Sequence, residues 1–214
     1  MLSITLSAAT FIDLASAGAF ASTDKARPLL TGVLLVPTGG IVKAIATDSY
    51  KLVTITRELV ELTGDAAPIL VPADVLAKAA KDAAKSRVNV EITADKEAGS
   101  FTIASMSGAW TYGGRLVEGN YPDVETLIPA ANGITCPEGE NVAFNVFFLA
   151  DVTKVAPWST LKGREKNGTD AAMRITALND RNRPIRIESR DGQTIVLVMP
   201  VRVEHRVAGG RAAA

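Results

Sequence analysis

His205 and Cys136 are the chain's one histidine and one cysteine, so most imidazole-based metal and triad chemistry is excluded at the outset. His205 sits between Glu204 and Arg206 and reads as a solvated side chain. Cys136 precedes Pro137 with no histidine nearby to lower its pKa, so it reads as an incidental thiol. A single cysteine also excludes an intramolecular disulfide and suits a reducing compartment. Asp48, Asp123 and Asp151 lie in separate segments and suggest no carboxylate pair. Asp48 follows a predicted strand, where its side chain is expected to accept backbone N–H bonds in a turn. No Gly-rich loop ends in Lys-Ser or Lys-Thr, and no Gly-x-Ser-x-Gly elbow occurs. The glycine pairs at 39–40, 113–114 and 209–210 read as turns or tail. The polar residues converge on no catalytic set, so no enzyme activity, catalytic residue, metal site or cofactor is expected.

The basic residues are more informative. Lys plus Arg is 23 and Asp plus Glu is 23, which excludes a uniformly basic nucleic-acid binder but not a local basic face. On a helix predicted at 73–84, Val75, Leu76, Ala79 and Ala83 project to one side. Lys78, Lys81 and Lys85 project to the other. Two readings stay open: a solvated polar face, or a surface that meets phosphates without reading bases. Lys154 lies on a later helix, followed by Lys162, Arg164 and Lys166. The first predicted helix has no Lys or Arg before Lys25 and Arg27.

The elements that must carry these residues follow one order three times. Hydrophobic residues are 47% and charged residues 21% of 214, ordinary globular composition with length for a sizeable core. No apolar run approaches the ~20 residues of a membrane span, and no basic leader precedes the opening strand, so a cytoplasmic protein is expected. Residues 3–6 alternate as a strand, Ser7 can cap a helix at 8–20, and strands follow at 30–36, 41–47 and 50–57. A second strand at 68–71 leads through Pro72 into the alanine-rich helix at 73–84. Strands at 87–93, 99–105 and 110–117 complete that unit. A third begins with a strand at 142–144, the cap Asn145 and a helix at 146–156 stopped by Pro157. A loop at 162–170 and strands at 172–178, 184–189 and 194–203 close it. Three β-α-β-β-β units with helices on one face of antiparallel sheets predict an α+β protein.

Several segments resemble the bacterial DNA polymerase III β sliding clamp. They are Arg27-Pro28-Leu29-Leu30-Thr31-Gly32-Val33-Leu34-Leu35, Ala46-Thr47-Asp48-Ser49-Tyr50-Lys51-Leu52 and Glu118-Gly119-Asn120-Tyr121-Pro122-Asp123 with Ile128-Pro129. Phe144-Asn145 before a helix and Met199-Pro200-Val201-Arg202-Val203 complete the set, in the family's order. The resemblance implies a ring-forming DNA-clamp fold, helices inside and sheets outside, around double-stranded DNA. It implies one complete clamp domain at 1–131, half a domain at 132–207 and a flexible tail at 208–214. Relative to the family, the first domain and the first half of the last domain are absent. Ser49 stands for a usual Gly, Tyr50 for a common His and Lys51 for a usual Arg. A shortened clamp of this kind resembles a phage-encoded one, which would place it in host cytoplasm.

The family's partners would be a DNA polymerase and a clamp loader, bound through a short peptide. The positions matching the family's peptide pocket are Leu30, Thr47, Ser49, Tyr50, Lys51, Leu52, Pro129, Leu197, Val198, Met199, Pro200, Val201 and Arg202. Leu30, Leu52, Val198, Met199 and Val201 would form an apolar floor, with Thr47, Lys51 and Arg202 as a polar rim. The tail from Glu204 could shield it. Lys78, Lys81, Lys85 and Lys154 would face DNA. Family rings hold twelve units, so three per chain favour a homotetramer, with a trimer as the alternative. The competing reading is a clamp-fold peptide-binding adaptor or decoy without ring closure.

Overall fold

The computed structural model describes residues 1–131, 133–134, 142–178 and 183–201. Cys136, Arg202, His205 and the tail at 208–214 lie outside the described residues.

The first unit opens with β1 (Leu2–Leu6) and α1 (Ala8–Ala15). Ser7 caps the helix as expected: its backbone is extended and its hydroxyl accepts the Thr10 N–H at 3.1 Å. The expected helix over 8–20 tightens into a 3₁₀ turn at Ser16–Phe20. A second 3₁₀ turn, Pro28–Thr31, occupies what was expected to start a strand, with proline pre-set at its first position. Then come β2 (Gly32–Thr38), β3 (Ile41–Thr47) and β4 (Lys51–Glu58). A short polar strand not expected from the sequence follows, β5 (Glu61–Gly64).

The second unit is β6 (Ile69–Pro72), α2 (Ala73–Ser86), β7 (Val90–Asp95), β8 (Ser100–Ser105) and β9 (Thr111–Arg115). Arg87, expected in a strand, is instead the left-handed C-cap of α2 at φ 56°, which delays β7.

The third unit follows the short β10 (Gly133–Ile134). It comprises β11 (Ala143–Phe144), α3 (Val146–Asp151), β12 (Arg174–Leu178), β13 (Ile185–Glu188), β14 (Thr194–Val198) and β15 (Pro200–Val201). Asn145 caps α3, accepting the Phe147 N–H at 2.9 Å. The α-helix expected to run to 156 ends at Asp151 and passes into a 3₁₀ turn, Val152–Lys154. β-branched Val152, Thr153 and Val155 and then Pro157 crowd its continuation. The expected loop at 162–170 is mostly two 3₁₀ turns, Gly163–Asn167 and Thr169–Ala171. The expected long last strand breaks at Met199, whose N–H bonds to the Tyr50 carbonyl at 2.9 Å.

Pairing ties the units together. The first strand of each complete unit joins the other's sheet: β1 runs antiparallel to β7, and β6 to β2. One sheet has the order β5-β1-β7-β8-β9. The larger has the order β10-β12-β13-β14-β4-β3-β2-β6, so β14 of the third unit pairs directly with β4 of the first. β11 and β15 form a separate pair. The main core lies between sheets and helices, built from Ile4, Leu6, Phe11, Leu14, Phe20, Ile55, Leu76, Ile92 and Ile103 among others. A second cluster lies on the far face of the larger sheet. There Ile45, Leu52, Val124 and Leu197 pack with Leu34, Val36, Tyr121, Ile128 and Ile195.

Candidate functional site

The turn between β3 and β4 is held by Asp48, whose Oδ1 accepts the Tyr50 and Lys51 N–H groups at 2.9 Å each. That is the role expected of it. The Thr47 hydroxyl donates to the Lys51 carbonyl at 2.8 Å and accepts the Ser49 N–H. Ser49 takes φ 82°, a left-handed conformation that L side chains rarely adopt. Its hydroxyl accepts from Arg27 at 3.1 Å, joining the turn to the Pro28–Thr31 segment that carries Leu30. Register sets the rest: Leu52 faces Leu197 and Lys51 faces Val198 across β4 and β14.

Strand alternation then separates residues that the resemblance had grouped. Leu52 and Leu197 lie in the far-face cluster, only 4% and 3% exposed. Val198 lies in the main core on the helix side. Lys51 is buried on that side too, so it is no rim residue. Its ammonium contacts the Asp48 carboxylate, lies 3.4 Å from that of Asp151, and sits 5.3 and 5.7 Å from the Phe20 and Phe148 ring centres. Asp151 also pairs with Lys154 at 2.6 Å. A buried ammonium persists only with such partners, and here they come from two units. Thr47 and Leu30 are buried as well, and neither forms an open rim or floor.

The apolar surface that stays open lies beside this buried group. Tyr50 is 58% exposed and stacks on Phe148 of α3 at 5.8 Å. Met199 and Val201 are each 36% exposed. Pro200 pairs with Phe144, which leads through Asn145 to Phe147, 75% exposed. Pro129 is tied instead to β13: its carbonyl accepts Arg186 at 2.6 Å, and Arg186 faces Leu197. Phe147, Phe148, Asp151 and Arg27 were not expected here. The aromatic pair Phe147-Phe148 in the first turn after the Asn145 cap was the available signal. Tyr121 covers the far-face cluster, and burial pushes its phenol up to about 12; the Thr47 backbone, without a full hydrogen bond, opposes part of the rise.

Lys78, Lys81 and Lys85 project from α2 opposite the buried Leu76, Ala79 and Ala83. Lys78 pairs with Asp74 at 2.9 Å and Lys85 with Asp82 at 2.8 Å. Lys85 first, then the Tyr112 hydroxyl, holds the Asp82 carboxyl below its usual range. Lys81 makes no ion pair among the described residues. Lys154 borders a groove on this same layer with Lys25, Asp74, Ala77 and Ala80. Among the described residues, no three His, Cys, Asp or Glu are grouped to hold a metal ion, and no helix is long and apolar enough to cross a membrane.

The profile of the DNA polymerase III beta subunit central domain matches residues 5–123, more than half of the chain. The chain belongs to the β sliding clamp family. It is 28% identical over 179 residues to a beta sliding clamp homolog, GriR, of Streptomyces muensis, covering 82% of this chain and 40% of that one. It is 30% identical over 150 residues to the beta sliding clamp of Streptococcus pneumoniae serotype 4, covering 70% of this chain and 36% of the relative. The clamp chain thus spans about two fifths of the length of these relatives. The crystal structure of the Bacillus subtilis sliding clamp superposes with a TM-score of 0.74 at 19% identity, over 94% of this chain and 64% of that one. The fold is therefore the α+β DNA-clamp fold.

Proposed function

We propose that this clamp-family chain is a subunit of a ring that encloses double-stranded DNA and tethers a DNA polymerase and its loader through a short peptide. The carrying observation is the continuous eight-stranded sheet, which joins the third unit to the first through β14 and β4. That joint aligns helices on one layer, with Lys78, Lys81, Lys85 and Lys154 on or beside them, and leaves sheet on the other. The lysines supply a modest field, tempered by Asp74, Asp82 and Asp151. Weak, non-specific phosphate contact of that kind suits a ring that must slide.

The peptide would lie on the open apolar surface around Tyr50, Phe147, Met199 and Val201. Methionine and aromatic side chains accept varied apolar partners. Residues 1–131 would be one complete domain and 132–207 a half domain. With three units per chain, a twelve-unit ring takes four copies, and a trimer would need four units in each. Among the described residues β9 pairs only with β8, an edge that ring closure would use.

The test is retention on DNA. The ring, loaded on a circular plasmid, should remain through a high-salt sizing column and run off once the plasmid is cut. A chain that stays monomeric by light scattering and is not retained on circles would instead support the adaptor reading.

A further inference from the structure

We infer that the third unit is completed by the third unit of a second copy, through exchange of first strands and side-by-side packing of α3 with its counterpart. Units one and two show what a complete pair requires. Each lends its first strand to the other's sheet, over five residues for β1 with β7 and four for β6 with β2. The 3₁₀ turn that ends the first helix packs so closely on the start of α2 that a Cβ on Gly18 would lie 3.3 Å from that of Ala73. The third unit has one half of this arrangement. Its sheet is joined to β4 at one edge. At the other edge, among the described residues, β12 meets only Gly133–Ile134, and in parallel, where the other units place an antiparallel first strand. Its own first strand, β11, pairs over two residues with β15 of the same unit.

The helix tells the same story. Counted from their starts, Ala73, Ala77 and Ala80 of α2 correspond to Val146, Ala150 and Thr153. Ile12 and Ala15 of α1 correspond to Ala150 and Thr153. Ile12, Ala15, Ala73 and Ala80 pack into the core, while Ala77 stays exposed. Val146 is 67% exposed, and Ala150 and Thr153 are also exposed. Residues 132–141, between the second unit and the third, are too few to supply a further unit within this stretch of chain. A second copy carries the same half, with the same short-paired strand edge and the same exposed helix positions. Two-fold pairing lets each satisfy the other, as isologous interfaces do, and removes an open sheet edge.

This joint takes its setting from the ring reading, but it can form whether or not DNA passes through the assembly. Gly18, just past the end of α1, lies against Ala73 at the start of α2; the same approach between two copies of α3 would bring Ala150 and Thr153 near the two-fold axis. Ala150→Cys and Thr153→Cys, each with Cys136→Ser, should give a covalent dimer on mild oxidation, while Glu97→Cys in the exposed β7–β8 turn should not. Ala150→Arg should halve the solution mass with its far-UV circular dichroism unchanged. A wild-type chain that is monomeric at micromolar concentration overturns the inference. So do cysteine variants that never cross-link together with an Ala150→Arg chain of unchanged mass. A cross-linked dimer that is not retained on circular DNA keeps this joint and removes the ring reading. Retention on circles by a chain that never cross-links at α3 does the reverse.

Discussion

Replacing Lys51 with Met tests whether the buried ammonium holds the first and third units together. The substitution keeps the side-chain length and removes the charge that contacts Asp48, Asp151 and two aromatic rings. Deleting one partner of a buried ion pair costs about 3–5 kcal/mol when the other is left bare. Here the carboxylates are not left bare. Asp48 keeps two backbone N–H donors and Asp151 keeps Lys154. Their side chains are also 17% and 18% exposed, so water screens part of the loss. The expected cost is therefore below that range, about 2.5 kcal/mol, or roughly seventyfold in the folding equilibrium. With a urea slope of about 2 kcal/mol per molar, the midpoint should fall by about 1.2 M at fixed protein concentration. A Lys51→Met, Asp151→Asn cycle should show coupling above about 0.5 kcal/mol. A midpoint shift below about 0.25 M, or an additive cycle, would refute the reasoning, because a solvated lysine behaves that way.

Met199→Asp with Tyr50→Ala should weaken binding of a polymerase-derived clamp peptide at least tenfold by fluorescence anisotropy, while leaving the urea midpoint within about 0.3 M of wild type. Leu52→Asp should instead lower stability by about 3 kcal/mol or more, because it buries a carboxylate in the far-face cluster. Lys78→Glu, Lys81→Glu and Lys85→Glu together should weaken association with short duplex DNA and flatten its salt dependence without changing oligomeric mass. The raised Tyr121 phenol means that the folded chain holds a proton the unfolded chain has released above pH 10. Stability should therefore decline as pH rises from about 10 to about 12, measured by thermal melts, and decline less in Tyr121→Phe.

The three-unit order was legible because each unit changes period in the same sequence, from strand to capped helix to three strands. Ser7 and Asn145 cap their helices, and Pro72 stands immediately before α2. What escaped were features set by distant neighbours. β5 is four residues with little apolar content, and it exists because β1 offers an edge to pair with. Exchange of first strands has no signature in periodicity, which tells which face of a strand is buried but not which strand lies beside it. The break at Met199 follows from a backbone bond to Tyr50, almost 150 positions earlier in the chain.

The candidate site shows the same division between position and face. The resemblance located the Thr47–Leu52 turn and the Leu197–Val201 segment, and register brings them together. Neighbouring positions on a strand nevertheless point to opposite sides. A run such as Leu197, Val198 or Lys51, Leu52 cannot all line one pocket. Alternation alone divides it, with Leu52 and Leu197 to the far face and Lys51 and Val198 toward the helices. On the helix side Lys51 meets the Asp151 carboxylate and the Phe148 ring, three positions apart on one face of α3. Phe148 belongs to both surfaces: it stacks on Tyr50 and lies near the Lys51 ammonium. The open surface and the buried ion cluster therefore share one side chain, that of Phe148.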